Sequence, residues 1–227
     1  MSHGGLGNLH GRSFQECMRV IEPSACGARM RCMTYVSTFM AGFMSLATPV
    51  VASGEYNGLE TPRYEVVKTY ETGVELRDYE PYSIAHVEVD GTRSRAASKA
   101  FRMLAGYIFG GNATEMKMEM TAPVAQVGTE AGWKVSFVLP AKIGAANAPA
   151  PNDAAVEIET IEGGEMIVRV FSGRWTERKL NAEEARLRAA AEEAGLLIEP
   201  APIYMFYNDP FTLPARRRNE IGFRVTE

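Results

Sequence analysis

The chain has 227 residues, 46% of them hydrophobic and 23% charged, which is ordinary for a globular protein with one substantial core. A net charge of −4 argues against a nucleic-acid binder, which would carry a basic face, and no GxxxxGK(S/T) loop or GxGxxG turn is present to cradle phosphates. The cysteines (Cys17, Cys26, Cys32) form no CxxC pair and the histidines are His3, His10 and His86. They are too few for a structural zinc site, or for a Ser-His-Asp or Cys-His hydrolase unless His86 alone serves it.

In chain order, residues 1–29 are glycine-rich at first and hold no sustained period; synthesis beginning at Met18, Met30 or Met33 would omit most or all of them. Arg29 and Arg31 then precede an apolar run, Tyr35–Ala47, and the small-residue pattern Val50-Val51-Ala52. That succession predicts a signal peptide cleaved near Ala52, hence a periplasmic or secreted protein. The alternative is a membrane anchor over residues 33–52, weakened by Pro49 and several Thr and Ser residues. Residues 1–52 are therefore read as an N-terminal extension, and residues 62–227 as the folded domain. All three cysteines lie in the extension, so the remainder can hold neither a disulfide nor a metal through a thiolate.

Glu55–Pro62 reads as a polar lead-in. Tyr64–Thr69 and Val74–Tyr79 are short strands, Pro81 breaks the second, and Tyr82–Val89 resumes alternation with Ala85, Val87 and Val89 on one face. Arg93–Phe109 is a helix whose apolar side carries Ala97, Ala100, Phe101, Leu104, Tyr107 and Ile108, and Gly110-Gly111 stop it. From Met116 the period changes to two, predicting a strand over Met116–Val127 with Met116, Met118 and Met120 on one side. Pro123 marks its edge, start or bend. Trp133–Leu139 is a further strand and Pro140–Asp153 a long loop.

The pattern then repeats. Strands Val156–Ile161 and Glu165–Phe171 precede a helix over Ala182–Ala194, with Asn181 and Glu184 resembling a capping box. Strands Pro202–Tyr207 and Glu220–Val225 close the chain around a loop at Asn208–Arg218. Each half is strand, strand, helix, strand, strand, which predicts an α+β fold. Duplicated ββαββ units would form a distorted antiparallel β-barrel flanked by two α-helices.

The residues at the first helix–strand junction carry a resemblance. Tyr107-Ile108, Gly110, Asn112, Lys117 and Met120-Thr121-Ala122-Pro123-Val124 resemble the SOUL/haem-binding protein family. So do Phe171-Ser172-Gly173, Tyr207–Pro214 and Arg217–Glu220, so the likeness covers about Pro62 to Val225. It implies the same barrel, shared with effector-binding domains, and a non-enzymatic protein that buffers, carries or delivers haem b or another tetrapyrrole non-covalently in a hydrophobic groove. The alternative is a small-molecule hydrolase or an effector-binding sensor module of the same fold, which a buried carboxylate of raised pKa in the groove would favour.

Candidate site residues follow. Arg95, Lys99 and Arg102 form a basic stripe suited to propionates, or else a solvated helix face. Met103, Met118 and Met120 offer flexible apolar wall for a flat ligand, or else plain core. His86 is the one histidine after the extension and the sole candidate metal ligand, although its direction is not fixed by its neighbours. The stretch where the family carries a proposed axial histidine is here Leu76–Pro81, with none. The paired carboxylates Glu183-Glu184 and Glu192-Glu193 read as helix surface. No nucleic acid, and no membrane once the leader is cut, is expected as a partner.

Overall fold

A computed structural model describes residues 54–70 and 73–226 in full and Val51–Ala52 by backbone alone. Apart from those two residues, the expected leader lies outside them. The polar lead-in holds a feature of its own. Asn57 and Gly58 both take positive φ, 51° and 79°, and so close a two-residue hairpin between β2 (Glu55–Tyr56) and β3 (Leu59–Glu60). β1 (Val51–Ala52) pairs with the start of β4 (Tyr64–Thr69), at the outer edge of the main sheet.

β4 pairs with β5 (Val74–Tyr79), and Glu80-Pro81 separates β5 from β6 (Tyr82–Val89). Helix α1 (Arg93–Ile108) follows, then β7 (Val124–Thr129) and β8 (Gly132–Val138). The second unit supplies β9 (Glu157–Ile161), β10 (Gly164–Phe171), helix α2 (Glu177–Glu193), β11 (Ile203–Phe206) and β12 (Asn219–Arg224). Its pairing copies the first. β6 pairs with β8 and β8 with β7; β10 pairs with β12 and β12 with β11. The units meet where β7 pairs with β11, and again where each lends a strand to the other, β5 to β10 and β9 to β6. One register runs through both of the latter pairings, Tyr79 opposite Gly164 and Tyr82 opposite Ile161. β5–β6 and β9–β10 thus behave as two long strands bent at the same place, and the antiparallel sheet curls into the distorted barrel expected.

The faces of the sheet explain the core. Ala85, Val87 and Val89 of β6 pack under α1 with Val135 and Phe137, against Ala96, Ala100 and Leu104. Val74, Leu76, Ile167, Ile221 and Phe223 do the same under α2, against Leu180 and Leu187. The opposite, concave face is filled by Tyr79, Met166, Val168, Met205 and Tyr207. At its centre a Cβ on Gly222 would lie 2.5 Å from Met166 Cε and 3.2 Å from Met205 Cε, so the methionines close over glycine backbone.

Four expectations change. Glu183 does not lie on the helix surface; it is 7% exposed and paired with Arg169 Nε at 2.7 Å. Phe101 is not on the buried side of α1; it is 46% exposed and touches the core by edge contact with Phe137, ring centres 5.3 Å apart. Met116–Thr121 is not part of a strand; it makes only isolated bridges, Lys117 to Phe109 and Thr121 to Glu60. Instead the Asn112 side chain knits the segment, its Nδ2 donating to the carbonyls of Tyr107 and Met116 and its Oδ1 accepting from the Met116 amide at 3.0 Å. The strand begins only after the cis Ala122–Pro123 bond. Finally, α2 starts five residues before Ala182: Thr176 is its N-cap, with Oγ1 accepting from the Lys179 amide, and Asn181 is interior and exposed.

Candidate functional site

Helix α1 presents two faces of different character. Arg95, Lys99 and Arg102 recur at steps of four and three and are all exposed, with Lys99 Nζ 3.8 Å from the Asp90 carboxylate. Beside that stripe, Phe101, Ala105 and Phe109 recur every four residues, and Phe101 and Phe109 are 46% and 59% exposed. Gly110, at φ 108°, ends the helix there, and Met116, also exposed, comes back past the turn as Lys117 bridges to Phe109. The result is an apolar patch beside a row of cations. Gly106, one turn on from Arg102 in the basic row, has open space where a side chain would stand.

The expected methionines lie behind this patch. Met118 is buried in the core under α1, and Met103 and Met120 are half-buried against it. They support the helix from within.

His86 is elsewhere. Strand alternation puts Ala85 and Val87 under α1 and His86 on the opposite face of β6, where its Nε2 lies 3.4 Å from Glu159 and 3.7 Å from Glu157. Lys134 of β8 ion-pairs with the same Glu159. Burial lowers the His86 pKa and Lys134 lowers it further, against Glu159, Glu157 and Glu88, which raise it. Its Nδ1 is buried without a partner. A ligand on the exposed side of α1 has the sheet between itself and this ring. The residues singled out in the sequence therefore fall into two groups, on opposite sides of the sheet. Among the described residues no cluster of His, Cys, Asp and Glu has metal-binding geometry.

The concave face also carries a buried ionic centre, which the sequence marks only in part, as Arg217, Asn219 and Glu220 tying the last strand to its neighbours. Glu220 of β12 has no solvent exposure and Arg77 of β5 only 1%. Arg77 Nη1 and Nη2 donate to Glu220 at 3.0 and 3.3 Å, Arg218 Nε donates at 2.7 Å, and the Tyr207 hydroxyl donates at 2.8 Å. Burial by itself would raise the carboxyl pKa, but the charges of Arg77 and Arg218 override it and the net shift is downward. Burial also pushes the Tyr79 and Tyr207 phenols up, so both stay protonated, Tyr207 donating to Glu220 and Tyr79 accepting from Arg77 Nη1. Glu220 is saturated: ionised, and with its lone pairs taken. The signal that could have found it is three arginines followed two residues later by a glutamate inside an apolar strand pattern, Arg216–Ile221.

The helix N-termini hold a second missed pair. Arg93 opens α1 and Glu177 opens α2, and their side chains meet at 2.7 Å, with the guanidinium 5.0 Å from the Tyr204 ring centre. This ties the two helices together above the sheet.

The fold is that of the bacterial effector-binding domains. The C-terminal domain of EcmrR superposes with a TM-score of 0.51 at 14% identity, covering 68% of this chain and 97% of that one. EcmrR in its DNA complex gives 0.53 at 14%, covering 68% of this chain and 57% of that one. A hydrolase from Listeria innocua is more distant, with a TM-score of 0.48, 13% identity and coverage of 70% and 94%. No curated protein sequence is significantly similar. Within that class, residues 59–224 match the model of the SOUL heme-binding protein family, and the chain belongs to this family.

Proposed function

We propose that the protein holds haem or another tetrapyrrole non-covalently along the exposed side of α1. One observation carries the reading: in a chain of the SOUL family, a patch of Phe101, Ala105, Phe109 and Met116 stands open to solvent beside Arg95, Lys99 and Arg102. Exposed aromatic side chains in a row are uncommon on a monomer and suit a flat apolar ligand. The cations suit its two propionates. Bound there, a tetrapyrrole supplies the redox or light-absorbing chemistry of its own ring. The chain's residues cover one face of it, pair with its carboxylates and leave the other face to a recipient. Haem is not ligated by His86 in this arrangement.

The hydrolase alternative asks for a carboxylate free to take a proton in the groove. Glu220 is the deeply buried candidate, and its saturated, arginine-held carboxylate does not meet that need. The leader-like sequence of residues 29–52 supports export, and N-terminal sequencing of the protein recovered from its host would test it. No helix among the described residues is long and apolar enough to cross a membrane.

The test is a visible-absorption titration with ferric haem and with metal-free protoporphyrin. The two ligands should bind comparably, since face contacts do not need iron. His86→Ala should leave haem affinity within about tenfold, or 1.4 kcal/mol. Lys99→Glu with Arg102→Glu, and separately Phe109→Ser, should weaken both ligands by more than that. A His86→Ala protein that loses haem and keeps protoporphyrin would establish axial ligation and overturn the reading.

A further inference from the structure

A cleft of about 690 Å³ opens at the end of the concave face, with no residue of α1 in its lining. One wall is the start of β4 and β5, with Tyr64 and Arg77; the other is the short 3-10 turn Pro214–Arg216 and the two arginines after it. Its volume lies within the range of small-molecule sites.

The charge of this cleft is unbalanced. Arg77, Arg216, Arg217 and Arg218 all line it, and the carboxylates that answer them are Glu75 and, behind the wall, Glu220. Both are already engaged with Arg77 or Arg218. Arg217 spends Nε and Nη2 on the carbonyls of Thr212 and Pro210 and lies 4.5 Å over the Trp175 ring, which fixes its plane without neutralising it. Arg216 is exposed and has no carboxylate partner among the described residues. Arg218 uses Nε and Nη2 on Glu220 and stacks at 4.8 Å over Tyr207, leaving Nη1 unassigned. The guanidinium planes of Arg217 and Arg218 are thus preorganised, which lowers the ordering cost when a ligand arrives.

We propose that this cleft is a binding site for a small aromatic anion bearing a carboxylate or phosphate group. Arg216 and the free edges of Arg217 and Arg218 take the charged group. Tyr64, already stacked 4.3 Å beneath Arg77, and Phe171 flank the aromatic body. The site selects against cations, because its deep carboxylate is closed off by two arginines. This inference does not depend on where a tetrapyrrole binds.

The experiment is calorimetric titration of the full chain at low salt with terephthalate, phenyl phosphate and benzyltrimethylammonium. The first two separate a carboxylate from a phosphate preference; at least one should bind, with affinity falling as salt is raised. Arg216→Glu, at an exposed position, should weaken that binding by about tenfold or more at an unchanged melting temperature. Lys142→Glu, an equal charge reversal at an exposed site elsewhere, should leave it unchanged. The proposal is overturned by any of three results: no heat from either anion at millimolar concentration, preference for the cation, or indifference to Arg216→Glu.

Discussion

Glu220 shows what a single buried charge does in this fold. Its carboxylate, with no solvent exposure, is held by Arg77, Arg218 and Tyr207, so removing its charge strands Arg77 at 1% exposure. Glu220→Gln should cost roughly 3–5 kcal/mol, the usual consequence of breaking a buried pair from one side. Replacing both partners, Arg77→Met with Glu220→Met, should cost less than either single change, because neither charge is then left unpaired. The pH dependence has a defined sign. A carboxylate whose folded pKa lies below its unfolded one contributes stability above the ordinary carboxylate range and loses it as pH falls through the folded value. The gap between Glu220→Gln and the wild type should therefore be widest near neutrality and close in acid, as read by chemical denaturation across pH. His86 acts in the same direction at higher pH. Its folded pKa is depressed by burial and by Lys134, against Glu159, Glu157 and Glu88. Stability should decline as pH drops from above about 6.5, the unfolded value, towards the folded one. His86→Gln should remove that limb; a limb that persists in the variant would show that another group is titrating.

At the scale of elements, α2 separates what sequence can mark from what only packing decides. Its body was legible, since Leu187 and Ala191 recur at helical spacing and are buried. Its start was not. Asn181 and Glu184 copy a capping box, but the real cap is Thr176, whose third residue on is Lys179 where a box would carry an acid. Leu180, fully buried, and Glu177, bound to Arg93, draw the helix back over the sheet. Thr176→Ala should cost about 1 kcal/mol, the usual value of a lost cap. Asn181→Ala, at an exposed interior position, should be neutral or slightly stabilising by helix propensity. Equal losses at both positions in thermal denaturation would contradict the observed start. The Met116–Met120 stretch failed for a different reason. Its period of two was real, but a strand needs a partner, and here the polar groups go to the Asn112 side chain. The opposite omission occurred at Asn57-Gly58, where a strong hairpin dipeptide stood in the sequence and lacked only long flanking strands to draw attention.

For α1, the periodicity that identified the helix also located its core. Leu104 is fully buried between the helix and β6 and β8. Leu104→Asp should destabilise by several kcal/mol, on the order of the cost of placing an unpaired charge there. The same periodicity misplaced Phe101 by one position around the helix, and that error matters, because the ring is what the proposed tetrapyrrole site needs. Sequence could name the basic stripe and the methionines. Which residues share a side of the sheet depended on β6 standing between α1 and His86, a fact of long-range pairing that no local pattern contains.

At the scale of the whole molecule, the question is how much of the chain the fold needs. The doubled ββαββ plan is self-contained: each unit lends one strand to the other, and the bent ribbons β5–β6 and β9–β10 join both halves through a shared register. β4 is the edge of this sheet, and its exposed residues include Glu65 and Lys68, charges of the kind that discourage edge pairing. β1 adds two pairing positions to that edge, Val51 opposite Glu65 and Ala52 opposite Tyr64, and the expected cleavage near Ala52 would remove both. Prolines aside, the buried apolar residues described all lie from Val74 onwards, and all but Ile84 and Val138 belong to the two helix-covered cores or the concave cluster. A chain beginning at Ser53 should therefore unfold in one cooperative transition within about 1 kcal/mol of the full-length protein, the scale of a couple of strand pairings. Denaturant melts of the two proteins, followed by far-ultraviolet circular dichroism, measure the difference. A truncated protein that fails to fold, or melts several kcal/mol below the full chain, would mean that residues 1–52 belong to the domain, and the export reading would fall with it.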